Sequence, residues 1–108
     1  MELLINDRLY LPAIFDKEGT FNDFNIKKSI MRKIEITQEE RKRIEMKELP
    51  EHNRIEWNEK KATPIQVDFS QEEMQYLKSA CEKVSEIKLP DDVWVVVEKI
   101  YDALQSEA

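Results

Sequence analysis

The sequence predicts an α+β fold that is mainly helical, with four to five short helices packed against a small antiparallel sheet. Two patterns predict it: capping residues precede apolar residues at helical spacing, and residues 44–69 contain stretches of alternating apolar and polar side chains. One glycine in 108 residues indicates short connections. A chain of this length predicts a single domain spanning residues 1–108.

The first helix is predicted to begin at Asn6, whose side chain is a favourable N-cap. Pro12 interrupts the helical pattern, so we expect a kink or a delayed start there. Gly19 is predicted to end this region in a left-handed conformation, which costs glycine little.

Two further helices are predicted from capping patterns. Thr20 with Asp23 opens the second helix, and Thr37 with Glu40 opens a third that runs through about Arg43. The core-facing side chains of the second helix recur about every four residues, with one methionine broadening the stripe: Ile26, Ile30, Ile34 and Met31.

The small sheet is predicted between residues 44 and 69. A strand, a turn, a second strand and a third strand are predicted in order at residues 44–49, 50–53, 54–57 and 65–69. The first two strands form a β-hairpin, with Ile55 and Trp57 on one face. The third strand makes a sheet of two or three strands.

Two C-terminal helices complete the predicted fold. Ser70 and Glu73 form a capping box that opens a helix over residues 70–87, flanked by a hydrophobic staple of Phe69 and Met74. Pro90 suits the first turn of a last helix over residues 90–104. We expect these two helices to pack together and against the isoleucine-rich helix.

The residue types that most catalytic and metal sites need are scarce. The chain has one cysteine and one histidine, too few for the usual zinc sites. Cys81 lies on the predicted buried stripe of its helix, and His52 lies in a predicted turn. We therefore predict no catalytic residue, no metal site and no cofactor, and we predict that the protein is not an enzyme.

Three features of the sequence bear on the cellular location of the protein. A single cysteine cannot form an internal disulfide, and the N-terminal residues lack the pattern of a secretory signal. The longest uninterrupted apolar run, Val93–Val97, is far shorter than a membrane span. These features predict a cytoplasmic protein that does not enter a membrane.

Charge is distributed unevenly along the chain. The net charge is −6, yet residues 26–43 carry seven basic and three acidic side chains. The basic side chains of this segment are Lys27, Lys28, Arg32, Lys33, Arg41, Lys42 and Arg43. They predict either a phosphate-contacting patch for nucleic acid or, as we favour, a solvated face paired with nearby glutamates. A third hypothesis is that the acidic residues 44–108 mimic nucleic acid.

Aromatic side chains supply the remaining candidate surface. The last helix is apolar around most of its circumference, which predicts either the central helix of the domain or a surface for a partner. Trp94 and Tyr101 are the candidate protein-interaction residues. The partner on this hypothesis is another protein or a second copy of the chain.

Several short motifs span nearly the whole chain in a familiar order. They are Asn6-Asp7-Arg8-Leu9, Glu18-Gly19-Thr20-Phe21, Thr37 to Glu40, Trp57-Asn58 and Lys88-Leu89. With them the chain resembles a family of short uncharacterised proteins encoded in bacteriophage and prophage genomes, although Pro12 and Pro90 depart from the pattern. The resemblance implies a phage-type accessory protein in the bacterial host cytoplasm, and no site residues. We expect it to act by non-enzymatic protein–protein interaction, as a modulator or inhibitor of a host protein, with nucleic-acid binding by Lys27–Arg43 as the alternative.

Overall fold

Helices and two small antiparallel sheets make up the chain, which confirms the predicted α+β, mainly helical class. The structure is a computed structural model that describes residues 1–52 and 54–107. Its elements are β1 (Glu2–Leu3), α1 (Ile5–Tyr10), a 3-10 helix (Leu11–Ile14), α2 (Phe21–Ile34), α3 (Gln38–Arg43), β2 (Lys47–Leu49), a 3-10 helix (Pro50–His52), β3 (Arg54–Glu56), β4 (Ile65–Gln66), α4 (Gln71–Val84) and α5 (Asp91–Glu107).

The strands pair differently from the prediction. β4 joins β1, with Leu3 opposite Ile65, so the hairpin stays two-stranded and the strand predicted at residues 65–69 forms a second sheet with β1. The Val67 N–H extends this pairing by donating to the Met1 carbonyl at 2.9 Å. Strands of two residues are too short to show an alternating pattern, so β1 could not be predicted from the order of its residues.

The predicted hairpin is confirmed, although it is shorter. β2 and β3 pair antiparallel, with Lys47 opposite Glu56. The first strand does not begin at Ile44, which is fully buried and ends α3. Glu45 then takes a left-handed conformation with φ of 57°, which turns the chain into β2. Asn53 of the predicted turn lies outside the described residues.

Helix N-termini follow the predicted caps in α2, α3 and α4. The hydroxyls of Thr20, Thr37 and Ser70 each accept the N–H three residues on, at 3.1, 3.2 and 3.2 Å. The cap predicted at Asn6 is wrong, because α1 begins at Ile5 and the Leu4 N–H donates to the Asp7 carboxylate at 2.8 Å. Pro12 lies where α1 gives way to the first 3-10 helix, in agreement with the expected interruption.

Gly19 has a different role from the predicted one. Its φ is not positive, so the left-handed helix end is not present. A Cβ at residue 19 would lie 2.9 Å from the Cβ of Asp23. The position therefore favours glycine because the capped start of α2 approaches the backbone closely.

The core forms where α4 packs against both α2 and α5, which confirms the predicted helix packing. Ile30, Leu77 and Ile100, one from each helix, are fully buried there. Met31 is 40% exposed, so its predicted place on the core stripe is wrong. A smaller cluster of Ile5, Ile36 and Ile44 lies apart from this core. α4 ends at Val84, three residues before the predicted end.

Candidate protein-interaction face

Helix α5 supplies much of the core. Val93, Val96, Val97, Ile100 and Leu104 are buried along it. The candidate residues Trp94 and Tyr101 are half-buried and pack against that core. The Tyr101 hydroxyl also donates to the Glu82 carboxylate at 3.4 Å. Both aromatic side chains thus have a packing role that accounts for their apolar character.

Lys27 and Lys33, of the seven predicted nucleic-acid-binding side chains, donate hydrogen bonds within the molecule. Lys33 donates to the Asp68 carbonyl at 2.8 Å and to the Glu73 carboxylate at 2.6 Å. Lys27 is half-buried and donates to the Asp16 carbonyl at 2.8 Å. Both ammonium groups therefore already have hydrogen-bond acceptors within the molecule and are less available to a phosphate.

The buried carboxylate of Glu73 is the main partner of the Lys33 ammonium group. The Glu73 carboxylate also accepts from the Ser29 hydroxyl at 2.7 Å and the Ser70 N–H at 2.7 Å. Burial alone would raise the pKa of Glu73, but the hydrogen bonds from Lys33, Ser70 and Ser29 and the Lys33 charge hold that pKa below its ordinary value. Lys33 therefore contributes to the contact between α2 and α4.

The other five cations of the segment are more available. Arg41 lies 3.7 Å from Glu48 and Arg43 lies 3.8 Å from Glu40, both at long ion-pair distances. Lys28, Arg32 and Lys42 are exposed and form no ion pair within residues 1–52 and 54–107. The predicted basic patch therefore divides into two side chains that donate hydrogen bonds within the molecule and five that are left to solvent or to long ion pairs.

Apolar side chains are exposed on the same helix. Phe21 is 79% exposed and Phe24 is 54% exposed. Their rings stack with centroids 6.5 Å apart and planes 14° from parallel, and the Lys28 ammonium lies 5.5 Å from the Phe24 centroid. We call Phe21, Phe24, Lys28, Met31 and Arg32 the α2 outer face.

Helical geometry explains why these side chains share one face. Residues spaced by three or four positions lie along one side of a helix, as Phe21, Phe24, Lys28 and Met31 do. The buried Ile30 and Ile34 lie on the other side, against the core. Helix α2 therefore presents apolar side chains on two sides, and only one is covered by the protein itself.

A groove of about 480 Å³ adjoins the α2 outer face where α2 meets α1 and the first 3-10 helix. Its apolar lining is Leu9, Pro12, Met31, Ile34 and Ile36, and its charged lining is Arg8, Lys28, Arg32, Arg41 and Glu35. Cations therefore outnumber the one acidic side chain in this lining.

Arg8 builds one wall of the groove and is itself neutralised. The guanidinium is buried and pairs with both oxygens of the Glu40 carboxylate, at 2.5 and 2.8 Å. It also donates to the carbonyls of Ile34 at 2.9 Å and Glu35 at 2.6 Å. The hydrogen bond from Arg8 holds the pKa of Glu40 below its ordinary value, despite an opposing effect of burial.

Cys81 and His52 are the two residues considered for catalysis. Cys81 is buried, as predicted, and burial raises its pKa to about 11, so the thiol stays protonated at neutral pH. The side chain of His52 lies outside the described residues. In the part of the chain that the structure covers, no three His, Cys, Asp or Glu side chains converge as metal ligands would.

Phe21 and Phe24 are the candidate residues that sequence reasoning missed. Both fall off the isoleucine stripe of the helix to which they belong. Apolar side chains on opposite sides of one helix were the available signal, because a helix with a single covered face needs only one such stripe.

Comparison with protein-family models, with curated proteins and with solved structures finds no match to this chain. Among the described residues, no helix has both the length and the apolar character that crossing a bilayer requires.

Proposed function

We propose that this chain is a non-enzymatic accessory protein that binds another protein through the α2 outer face and thereby modulates it. The observation that carries the proposal is the stacked pair Phe21 and Phe24, which project from the ordered helix α2 into solvent. Contiguous exposed apolar side chains beside charged ones are typical of protein-interaction surfaces.

The energetics favour a covered state of this face. Fully burying one Phe side chain contributes roughly 1.5–3 kcal/mol, and Phe21 and Phe24 gain only part of this within the chain. Aromatic side chains, Phe among them, are enriched at protein–protein interfaces together with Met and Arg. A partner that covers both rings and Lys28 would gain from each.

The resemblance to short phage and prophage proteins supports a particular setting for this activity. On this proposal the protein acts in the cytoplasm of a bacterial host, and the partner is a host or phage protein. Trp94 and Tyr101 then contribute to stability more than to recognition, because both pack on the core.

A differential capture experiment tests the proposal. The wild-type protein, the double variant F21S/F24S and the control V95S/I87S are immobilised and exposed to nuclease-treated lysate of the bacterium that carries the gene. The control removes apolar side chains that are 69% and 52% exposed elsewhere on the surface. We expect one protein to be retained by the wild type and the control at near-stoichiometric yield, and to be lost with F21S/F24S. Equal retention by all three baits would contradict the proposal.

Single-stranded nucleic acid is the second candidate partner, and one observation favours it. Bases stack on exposed aromatic rings beside cations, and Phe21 and Phe24 lie next to Lys28 and Arg32. The intramolecular contacts of Lys27 and Lys33 and the net charge of −6 weigh against it. A labelled oligodeoxythymidine probe distinguishes the two, since nucleic-acid binding should weaken steeply with added salt and disappear in K28Q/R32Q.

A further inference from the structure

We infer that the partner segment recognised here is an acidic amphipathic helix, whose apolar side chains enter the groove between α1 and α2 while its carboxylates meet Lys28, Arg32 and Arg41. This inference rests on the proposed function and specifies the chemistry of the partner.

Charge is the first argument. Lys28 and Arg32 are exposed groove cations with no ion pair inside the described chain, and Arg41 has only a 3.7 Å contact with Glu48. Glu35 is the one acidic side chain in the groove lining. This local excess of positive charge on a protein of net charge −6 favours a segment rich in Asp and Glu over a neutral or basic one.

The shape of the groove supplies the second argument. Leu9, Pro12 and Ile36 contribute apolar side chains to its lining, and its volume of about 480 Å³ suits a few side chains rather than a whole domain. A helix placed in a groove between two helices offers apolar anchors at spacings of three and four residues. Phe21 and Phe24 extend the apolar surface beyond one end of the cationic groove.

A second copy of the chain is a poorer occupant. Symmetric pairing through the α2 outer face would bring Lys28 and Arg32 of the two copies close to their counterparts, and like charges at an interface oppose association. The acidic surface needed to neutralise them would have to come from another part of the second copy, which gives an interface that does not close.

Selection from a displayed library of random 16-residue peptides tests the inference. The baits are the wild-type protein, the charge-reversed K28E/R32E, the aromatic variant F21S/F24S and the control K78E/K88E, which reverses two exposed lysines distant from α2 in sequence. We expect wild-type binders to carry excess Asp and Glu with apolar residues at helical spacing. Their affinity should fall about tenfold in K28E/R32E, persist in K78E/K88E, and weaken with salt.

The outcomes separate the inference from the proposed function. Binders that lose affinity with F21S/F24S but not with K28E/R32E, or that lack an acidic excess, overturn the acidic-helix inference and leave the α2 outer face as the binding surface. Binders indifferent to both variants, or no enrichment, overturn both. A solution mass above 12.9 kDa that returns to it in F21S/F24S assigns the face to a second copy and also overturns the inference. Tighter binding of a 20-nucleotide oligodeoxythymidine than of any peptide overturns it in favour of nucleic acid.

Discussion

Replacing Arg8 by methionine should strongly destabilise the fold, because Arg8 joins α1 to both α2 and α3. The substitution removes four hydrogen bonds and leaves the Glu40 carboxylate, only 11% exposed, without its main counter-ion. Breaking a buried ion pair by removing one partner costs about 3–5 kcal/mol. Since a domain of this size has a total stability of about 5–15 kcal/mol, R8M should lose a large fraction of it.

Urea unfolding followed by the fluorescence of Trp57 and Trp94 measures this loss. With a slope of about 1–3 kcal/mol per molar urea, a loss of about 4 kcal/mol lowers the midpoint by roughly 1.3–4 M. The double variant R8M/E40L should recover at least about 1 kcal/mol, because no charge is then left buried, although the Ile34 and Glu35 carbonyls still lack their donor. A loss below about 1 kcal/mol in R8M, or no recovery in the double variant, would refute this account of the Arg8 contacts.

Three further predictions concern other parts of the structure: the buried glutamates, Gly19 and Cys81. Glu40 and Glu73 have pKa values held below the ordinary 4.5, so their contribution to stability is complete above about pH 4.5 and is lost as pH falls through the lowered values. Urea midpoints measured from pH 7 to pH 3 should therefore drop below pH 4.5, and less steeply in E73Q than in the wild type. Gly19→Ala should cost about 1–3 kcal/mol because the added methyl group meets the Asp23 side chain, and an unchanged thermal midpoint would contradict that. Cys81 should react with a thiol reagent only as fast as the protein unfolds, since it is buried with a pKa of about 11; rapid labelling of the native protein would show that the thiol is accessible.

The helix N-caps and the packing of the long helices could be predicted from the sequence. The caps at Thr20, Thr37 and Ser70 depend on residues three positions apart, so each could be predicted without any knowledge of the rest of the chain. The packing of α4 between α2 and α5 followed from apolar stripes that are long enough to be recognised.

Features that depend on distant partners were not predictable in this way. The β1–β4 pairing joins residues 2–3 to residues 65–66, and neither strand is long enough to show a period. Arg8 and Glu40 are 32 positions apart, and nothing near Arg8 distinguishes it from a solvated arginine. Glu45 adopts a left-handed conformation usually taken by glycine, because the buried Ile44 and the start of β2 fix the chain on both sides.

The candidate site was predictable only in part. The basic character of residues 27–43 was evident from the sequence. The hydrogen bond from Lys33 to the buried Glu73 was not, because Glu73 lies 40 residues further on. The exposed pair Phe21 and Phe24 required knowing which side of α2 the core covers. Sequence alone assigns a period to a helix, and the contacts of the folded chain decide which face remains open.

Helix α1 has only six residues, and a helix of this length has no appreciable stability alone in water. Yet its adjacent residues Asp7 and Arg8 are both buried and reach in different directions, to Lys99 on α5 and to Glu40 on α3. The Arg8 amide proton, which is donated to the Leu4 carbonyl at 3.1 Å, should therefore exchange with solvent deuterium only when the α1, α3 and α5 contacts open together. Exchange at α1 would then report global opening of the molecule rather than local fraying of a short helix.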